Sequence, residues 1–116
     1  MNLKTQLLKP EQITPSILKI MGGEYPVRRL TAARLNQHDK EIKKHQKEQD
    51  GEQLNTSSAQ LVLDSLLDEK NHPMSESVTA TELMEAHSPL VINAAISVLT
   101  RFNFIGEEAE EEAKKA

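Results

Sequence analysis

Residues 78–105 read VTATELMEAHSPLVINAAISVLTRFNFI, the densest apolar run in the chain, and two helix starts are written into it. Thr79 followed three residues later by Glu82 fits a capping box, in which each side chain satisfies an orphan amide of the first turn. A short helix is therefore predicted from Ala80, with Leu83, Met84 and His87 on one face. Ser88-Pro89 then supplies an N-cap and a proline at the first helical position, where an N–H is not needed. The second helix, Leu90 to Phe104, carries Leu90, Val91, Ile92, Ala94, Ala95, Ile96, Val98, Leu99, Phe102 and Phe104, a wider apolar band than a surface helix needs. It must be covered on more than one side. A bilayer span takes about 20 apolar residues, and this stretch of about 16 contains Asn93, Ser97, Thr100 and Arg101. The cover is protein: its own chain, another copy or a partner.

Upstream, Leu61, Val62, Leu63, Leu66 and Leu67 form the apolar face of a helix predicted from Ser58 to about Lys70, closed by Asn71-His72-Pro73. Gln53 to Ser58 reads as a polar connector, and Asp50-Gly51-Glu52 as the break that ends an earlier helix running from Ala32 to about Gln49. Thr31 caps that earlier helix. Its few apolar points are Leu30, Ala33, Leu35 and Ile42; pairs such as Asp39 with Lys43 and Lys44 with Glu48 support it as an exposed helix. Before it, Glu24 to Leu30 (EYPVRRL) reads as a brief extended segment, which Pro26 confines to a sheet edge, and no second strand is evident. Thr14 as N-cap and Pro15 at the first position predict a short helix stopped by Gly22-Gly23. Asn2 to Lys9, with Leu3, Leu7 and Leu8, is a short helix or a docking arm. The expected fold is mainly α: a small bundle of about four to five helices with at most a short β-hairpin or extended segment near residues 24–30. Residues 1–105 are expected to form one helical domain and residues 106–116 an acidic, flexible tail.

With 116 residues, 37% apolar and 3% aromatic content and no Trp, the chain has an aliphatic core and little to stack on bases or sugars. The absence of Cys excludes disulfides, thiolate zinc sites and cysteine nucleophiles and fits a reducing cytoplasm. The N-terminal sequence lacks the apolar core of a signal peptide, so a soluble, intracellular protein is expected. The net charge of -4 hides a segregation: residues 19–49 hold eight Lys/Arg against four Asp/Glu, and residues 50–116 four against thirteen. Opposite potentials of this kind favour head-to-tail pairing of copies or are satisfied within one molecule.

No catalytic pattern is present. His38, Glu41 and His45 share a helix face at a spacing open to metal ligation, but not in the order of the zinc-protease motif, and they read as a solvated face. No nucleophile elbow, phosphate loop or dinucleotide fingerprint occurs. The expectation is a non-enzyme without cofactor or metal. TATELMEAHSPLVINAAISVLTRFNFIG does have the short-helix, turn, long-helix cadence of winged helix-turn-helix proteins, which makes a small DNA-binding regulator the alternative reading. A recognition helix presents basic or polar groups to phosphates and base edges. Leu90 to Thr100 has no Lys or Arg, so nucleic acid is not the expected partner.

The chain resembles the tail assembly chaperones of long-tailed, siphovirus-type bacteriophages. The resemblance rests on the passage from VRR into LTAARLNQHDKEI, the leucine-rich middle helix, the C-terminal VINAAISVLTRFNFIGEEAEEEAKKA and the overall length. It implies a protein of the bacterial host cytoplasm, absent from the finished virion, that self-associates and helps tail tube subunits polymerise around the tape measure protein. It also implies a longer frameshifted product, and Ala113-Lys114-Lys115 is compatible with a slippery A-AAA-AAG heptamer. On this reading Val91, Ile92, Ala95, Ile96, Leu99 and Phe102, with Leu63 and Leu66, serve core or self-association, and Arg28 and Arg29 supply polar contacts to protein partners.

Overall fold

A computed structural model describes residues 2–9 and 15–104. The tail expected at 106–116 and the Thr14 cap lie outside the described residues. The fold is mainly α, with five α-helices and one two-stranded antiparallel hairpin among the described residues. The elements run α1 (Leu3–Leu8), β1 (Ser16–Ile20), β2 (Gly23–Val27), α2 (Ala32–Lys47), α3 (Gly51–Ser65), a 3-10 turn (Met74–Glu76), α4 (Ala80–Ala86) and α5 (Pro89–Phe104).

The capping signals were local and hold. Thr79 Oγ1 accepts from Glu82 N–H at 3.1 Å while Glu82 Oε1 accepts from Thr79 N–H at 3.0 Å, a complete capping box. Ser88 Oγ accepts from Val91 N–H at 3.3 Å to open α5, and Thr31 Oγ1 accepts from Arg34 N–H at 3.2 Å to open α2.

The segment after Pro15 is a strand, not the predicted helix. Leu18 and Ile20 point inward and Ile17 and Lys19 outward, an alternation of period two, and Leu18 pairs with Tyr25 and Ser16 with Val27. Met21 and Gly22 both have positive φ, 51° and 78°. That is the conformation of a two-residue primed turn, whose twist matches the strands it joins. The glycine that signalled a helix stop therefore closes a hairpin, and its first strand is the partner that the extended segment at 24–30 lacked.

Two boundaries of α3 also move. Asp50 does not merely break the chain: its Oδ1 accepts from Gln53 N–H at 3.1 Å, so the helix starts at Gly51 and absorbs the expected connector. At the other end α3 stops at Ser65 rather than near Lys70. Leu66 and Leu67 are taken into extended pairing instead, bridging Val27 and Pro73, with Leu67 N–H donating to Pro26 O at 2.9 Å and Met74 N–H to Leu66 O at 2.8 Å.

These pairings make α3 the centre of the molecule, in contact with α2, α4, α5 and the 3-10 turn. Ala59, Val62, Leu63 and Leu66 pack with Leu18, Ile20 and Val27 of the hairpin, with Leu83 of α4 and with Ile92, Ala95, Leu99 and Phe102 of α5. Leu61 and Leu67 are buried as well. Helix α2 differs: none of its residues is buried. Its tight turn into α3 has Asp50 N–H donating to His45 O and Gln49 N–H to Gln46 O, with Gln49 at φ 56°, a Schellman ending without the usual glycine.

Candidate functional site

Helix α1 is capped by Asn2, whose Oδ1 accepts from Lys4 N–H at 2.8 Å. Six residues are well below the length at which an isolated helix is stable in water. Apolar burial is the usual remedy, yet Leu3, Leu7 and Leu8 are 79%, 82% and 69% exposed. The helix thus presents three leucines that the other described residues do not cover. Leu90 and Phe104, at the two ends of α5, and Ile17, on the outer face of the hairpin, are exposed too. Contiguous apolar patches mark surfaces that meet other proteins, whereas apolar residues exposed singly are ordinary.

The structure divides the residues singled out from sequence. Ile92, Ala95, Leu99, Phe102, Leu63 and Leu66 lie in the chain's own core, with Leu99 fully buried. Val91 and Ile96 are half-buried, with Ile96 packed against that core. Arg28 is exposed and Arg29 half-buried. The large apolar residues most open to solvent among the described residues are the leucines of α1 with Ile17, Leu90 and Phe104. Sequence marked Leu3, Leu7 and Leu8 only through their position in a docking arm, and nothing in the composition of α5 separates its buried stripe from Leu90 and Phe104.

Arg28 and Arg29 close the C-terminal ends of two helices. Arg28 donates through its backbone N–H to Ser65 O at 3.0 Å and through Nε to Asp64 O at 2.8 Å, satisfying carbonyls at the end of α3. The Arg29 guanidinium lies 4.5 Å from the centre of the Phe102 ring, a cation-π contact with α5. Next to it, Leu30 N–H donates to Asn103 Oδ1 at 2.8 Å, and Asn103 Nδ2 donates to Leu99 O at 2.8 Å. The linker is thereby fastened to the last turn of α5.

One ion pair holds α2 to α3. Arg34 donates to Asp64 Oδ2 through Nε at 2.9 Å and Nη2 at 2.7 Å, and Gln60 donates to Oδ1 at 3.2 Å. Burial alone would raise the Asp64 pKa, but hydrogen bonds from Arg34, Ser75 and Gln60 and the guanidinium charge outweigh it, so the carboxyl stays below its usual value. The face holding His38, Glu41 and His45 is half-buried rather than solvated as expected, because it packs toward α3. Burial, then the Arg34 charge, lowers the His38 pKa, and Nδ1 of both histidines is buried without a partner. Among the described residues no group of three His, Cys, Asp or Glu side chains is placed to hold a metal ion. Asp39 and Lys43 form their exposed pair at 2.9 Å; among the described residues Lys44 and Glu48 do not, Glu48 lying past the helix end.

Helices α4 and α5 are bent by 118° relative to each other at the break between Ala86 and Pro89. The outer face of α5, with Leu90, Asn93, Ala94, Ser97, Thr100, Arg101 and Phe104, offers one cation. Among the described residues no single helix is long and apolar enough to cross a membrane.

Residues 2–115 match the family described as phage tail assembly chaperone protein, TAC. No curated protein and no solved structure matches the chain.

Proposed function

This chain belongs to the phage tail assembly chaperone family, and from that premise we propose that it self-associates and binds the tape measure and tail tube proteins in the host cytoplasm, leaving before the virion is complete. The observation that supports this reading is the uncovered apolar surface of α1, where Leu3 and Leu7 stand one turn apart on one face. A tape measure protein is long, helical and apolar along one side, and such a surface aggregates unless another apolar surface covers it. A small subunit with a short leucine arm covers it reversibly. Each leucine contributes about 1.5–3 kcal/mol when fully buried, so two are worth about 4 kcal/mol, roughly a thousandfold in Kd.

The test is co-expression of the full chain with the tape measure protein of the same genome, comparing the natural sequence with the Leu3→Ser/Leu7→Ser variant. The variant is expected to melt at an unchanged temperature while losing soluble tape measure protein and sedimenting as a smaller species. Unchanged retention and unchanged sedimentation would remove α1 from the contact. The frameshifted longer product is proposed on Ala113-Lys114-Lys115, which lie outside the described residues, and the nucleotides encoding them decide it. The regulator alternative has less support, since the open face of α5 offers a phosphate backbone only Arg101.

A further inference from the structure

Helix α2 rests on α3 by one side, where Arg34, His38, Glu41 and His45 recur at successive turns, each half-buried. The α3 surface beneath them is polar. Asp64 receives Arg34 and Gln60 at one end of this seam, and toward the other end Gln53, Ser57 and Gln60 line a cleft of about 350 Å³ with Glu41, Lys44 and His45. The whole seam lies between Thr31 and Ser65, a continuous part of the described chain.

His38 is the group that acid disturbs. Its Nδ1 is buried and has no hydrogen-bond partner among the described residues. A neutral imidazole tolerates that, because one of its nitrogens carries no proton; in an imidazolium both nitrogens are donors, and this one has nothing to donate to. The surrounding charges give little relief. Arg34 stands one turn earlier on α2, Asp39 and Glu41 are the nearby carboxylates, and His45 follows two turns later. On the α3 side the carboxylate is Asp64, already engaged by Arg34 and Gln60. Asp50 and Glu52 lie past the end of α2 at Lys47, about 14 Å of helix beyond His38. Burial and the Arg34 charge outweigh Glu41 and Asp39 and hold the His38 pKa below 6.5. The closed seam therefore binds this proton less readily than an open one, and acid favours opening by at most about tenfold per pH unit.

We propose that α2 is an acid-released flap: protonation of His38 parts it from α3 and bares the α3 surface around Ser57 and Gln60. The chain bends at Thr31 and Gln49, the extended and positive-φ residues that bound the helix, as hinges at the ends of elements do. The Arg34–Asp64 pair opposes the opening, so the closed form is the resting state at neutral pH. The device belongs to a seam within one chain and does not depend on the chaperone reading; a failure to bind tail proteins would leave it untouched.

The absence of Cys allows a single reporter thiol to be introduced. Ser57→Cys places it beside α2 at a position 8% exposed, and Ala95→Cys places one in the core at a position 2% exposed. Labelling by a methanethiosulfonate reagent, divided at each pH by the rate of an unstructured peptide with the same cysteine, gives the fraction of molecules open at that site. Ser57→Cys is expected to open more often than Ala95→Cys, and its open fraction to rise about threefold to tenfold between about pH 6.5 and 5.5. Adding His38→Gln is expected to remove most of that rise. Where opening is too rare to time, Asp64→Asn raises it throughout this range and leaves the dependence on His38 in place. Equal open fractions at the two sites would mean that α2 does not part from α3 separately, and would overturn the proposal. A flat profile for Ser57→Cys, or a slope that survives His38→Gln, would do the same.

Discussion

Replacing Asp64 by Asn removes the charge that fastens α2 to α3 while keeping the side chain's volume. In the folded protein its carboxylate accepts two hydrogen bonds from Arg34 and one from Gln60, and the two partners of the ion pair are 20% and 19% exposed. Hydrogen bonds to charged groups contribute about 1.5–3 kcal/mol each, but the set is not additive and some screening remains, so a loss of about 2 kcal/mol is expected. The Arg34 guanidinium adds to it, because its Nη1 already lacks a partner and the substitution leaves the rest half-buried without a counter-charge. For a chain of this size 2 kcal/mol is about 8–10 °C in Tm. With no Trp, urea unfolding followed by circular dichroism at the helix band is the assay. The pH dependence supplies the sharper criterion. The folded Asp64 pKa lies below 3.8, so the carboxylate's contribution is present above that value and is lost as pH falls through the folded pKa. The gap between natural and variant proteins is therefore expected to be constant from pH 7 to about 5 and to close below about 4. His38, with its pKa lowered from 6.5, makes the folded state less stable as pH falls below 6.5, and comparing the two proteins at each pH largely removes that common slope. A gap under about 0.5 kcal/mol, or one that persists undiminished into acid, would refute the argument.

Leu99→Ala, at a fully buried position of α5, is expected to cost about 3 kcal/mol by lost transfer energy and a residual cavity, read as a lower urea midpoint at unchanged slope. Thr79→Ala breaks the capping box of α4 and should cost about 1 kcal/mol in the same assay, with Glu82→Ala costing less in the Thr79→Ala background than in the natural one. Gln49→Gly should do the opposite. At φ 56° a side chain strains the turn between α2 and α3, and glycine is expected to raise stability by about 0.5–1 kcal/mol.

What could be read from the sequence was what neighbours in the chain decide. Thr79 and Glu82 sit three apart, Ser88 precedes Pro89, and Thr31 precedes a polar helix; each cap is closed by atoms within one turn. The errors fall where a local signal has two meanings and a distant contact chooses. Thr14-Pro15 with Gly22-Gly23 brackets a helix as well as it brackets a strand and turn, and the choice rests on pairing with Gly23–Val27 and on Val27 meeting Leu66. Asp50-Gly51 ends one helix and begins the next, and only the Asp50 to Gln53 hydrogen bond distinguishes a cap from a break. On α5 the buried stripe at Ile92, Ala95, Leu99 and Phe102 and the open positions Leu90 and Phe104 are alike in hydropathy, and only the placement of α3 and the hairpin separates them. Arg29 reads as a generic surface cation; its seat on Phe102 requires two segments far apart in the chain to meet.

That α2 contributes no buried residue means that resistance to solvent is unevenly distributed along the chain. Opening α2 breaks the Arg34–Asp64 pair and a half-covered face, whereas opening α3 separates the hairpin, α4 and α5 together, so amide protons of Ala32–Lys47 exchange through a local excursion and those of Ala59–Ser65 only when the whole molecule unfolds. Of the helices α2 to α5, a protease that cuts after lysine meets Lys40, Lys43, Lys44 and Lys47 on the one that opens first, and a nick there leaves the α3–α5 core intact behind it.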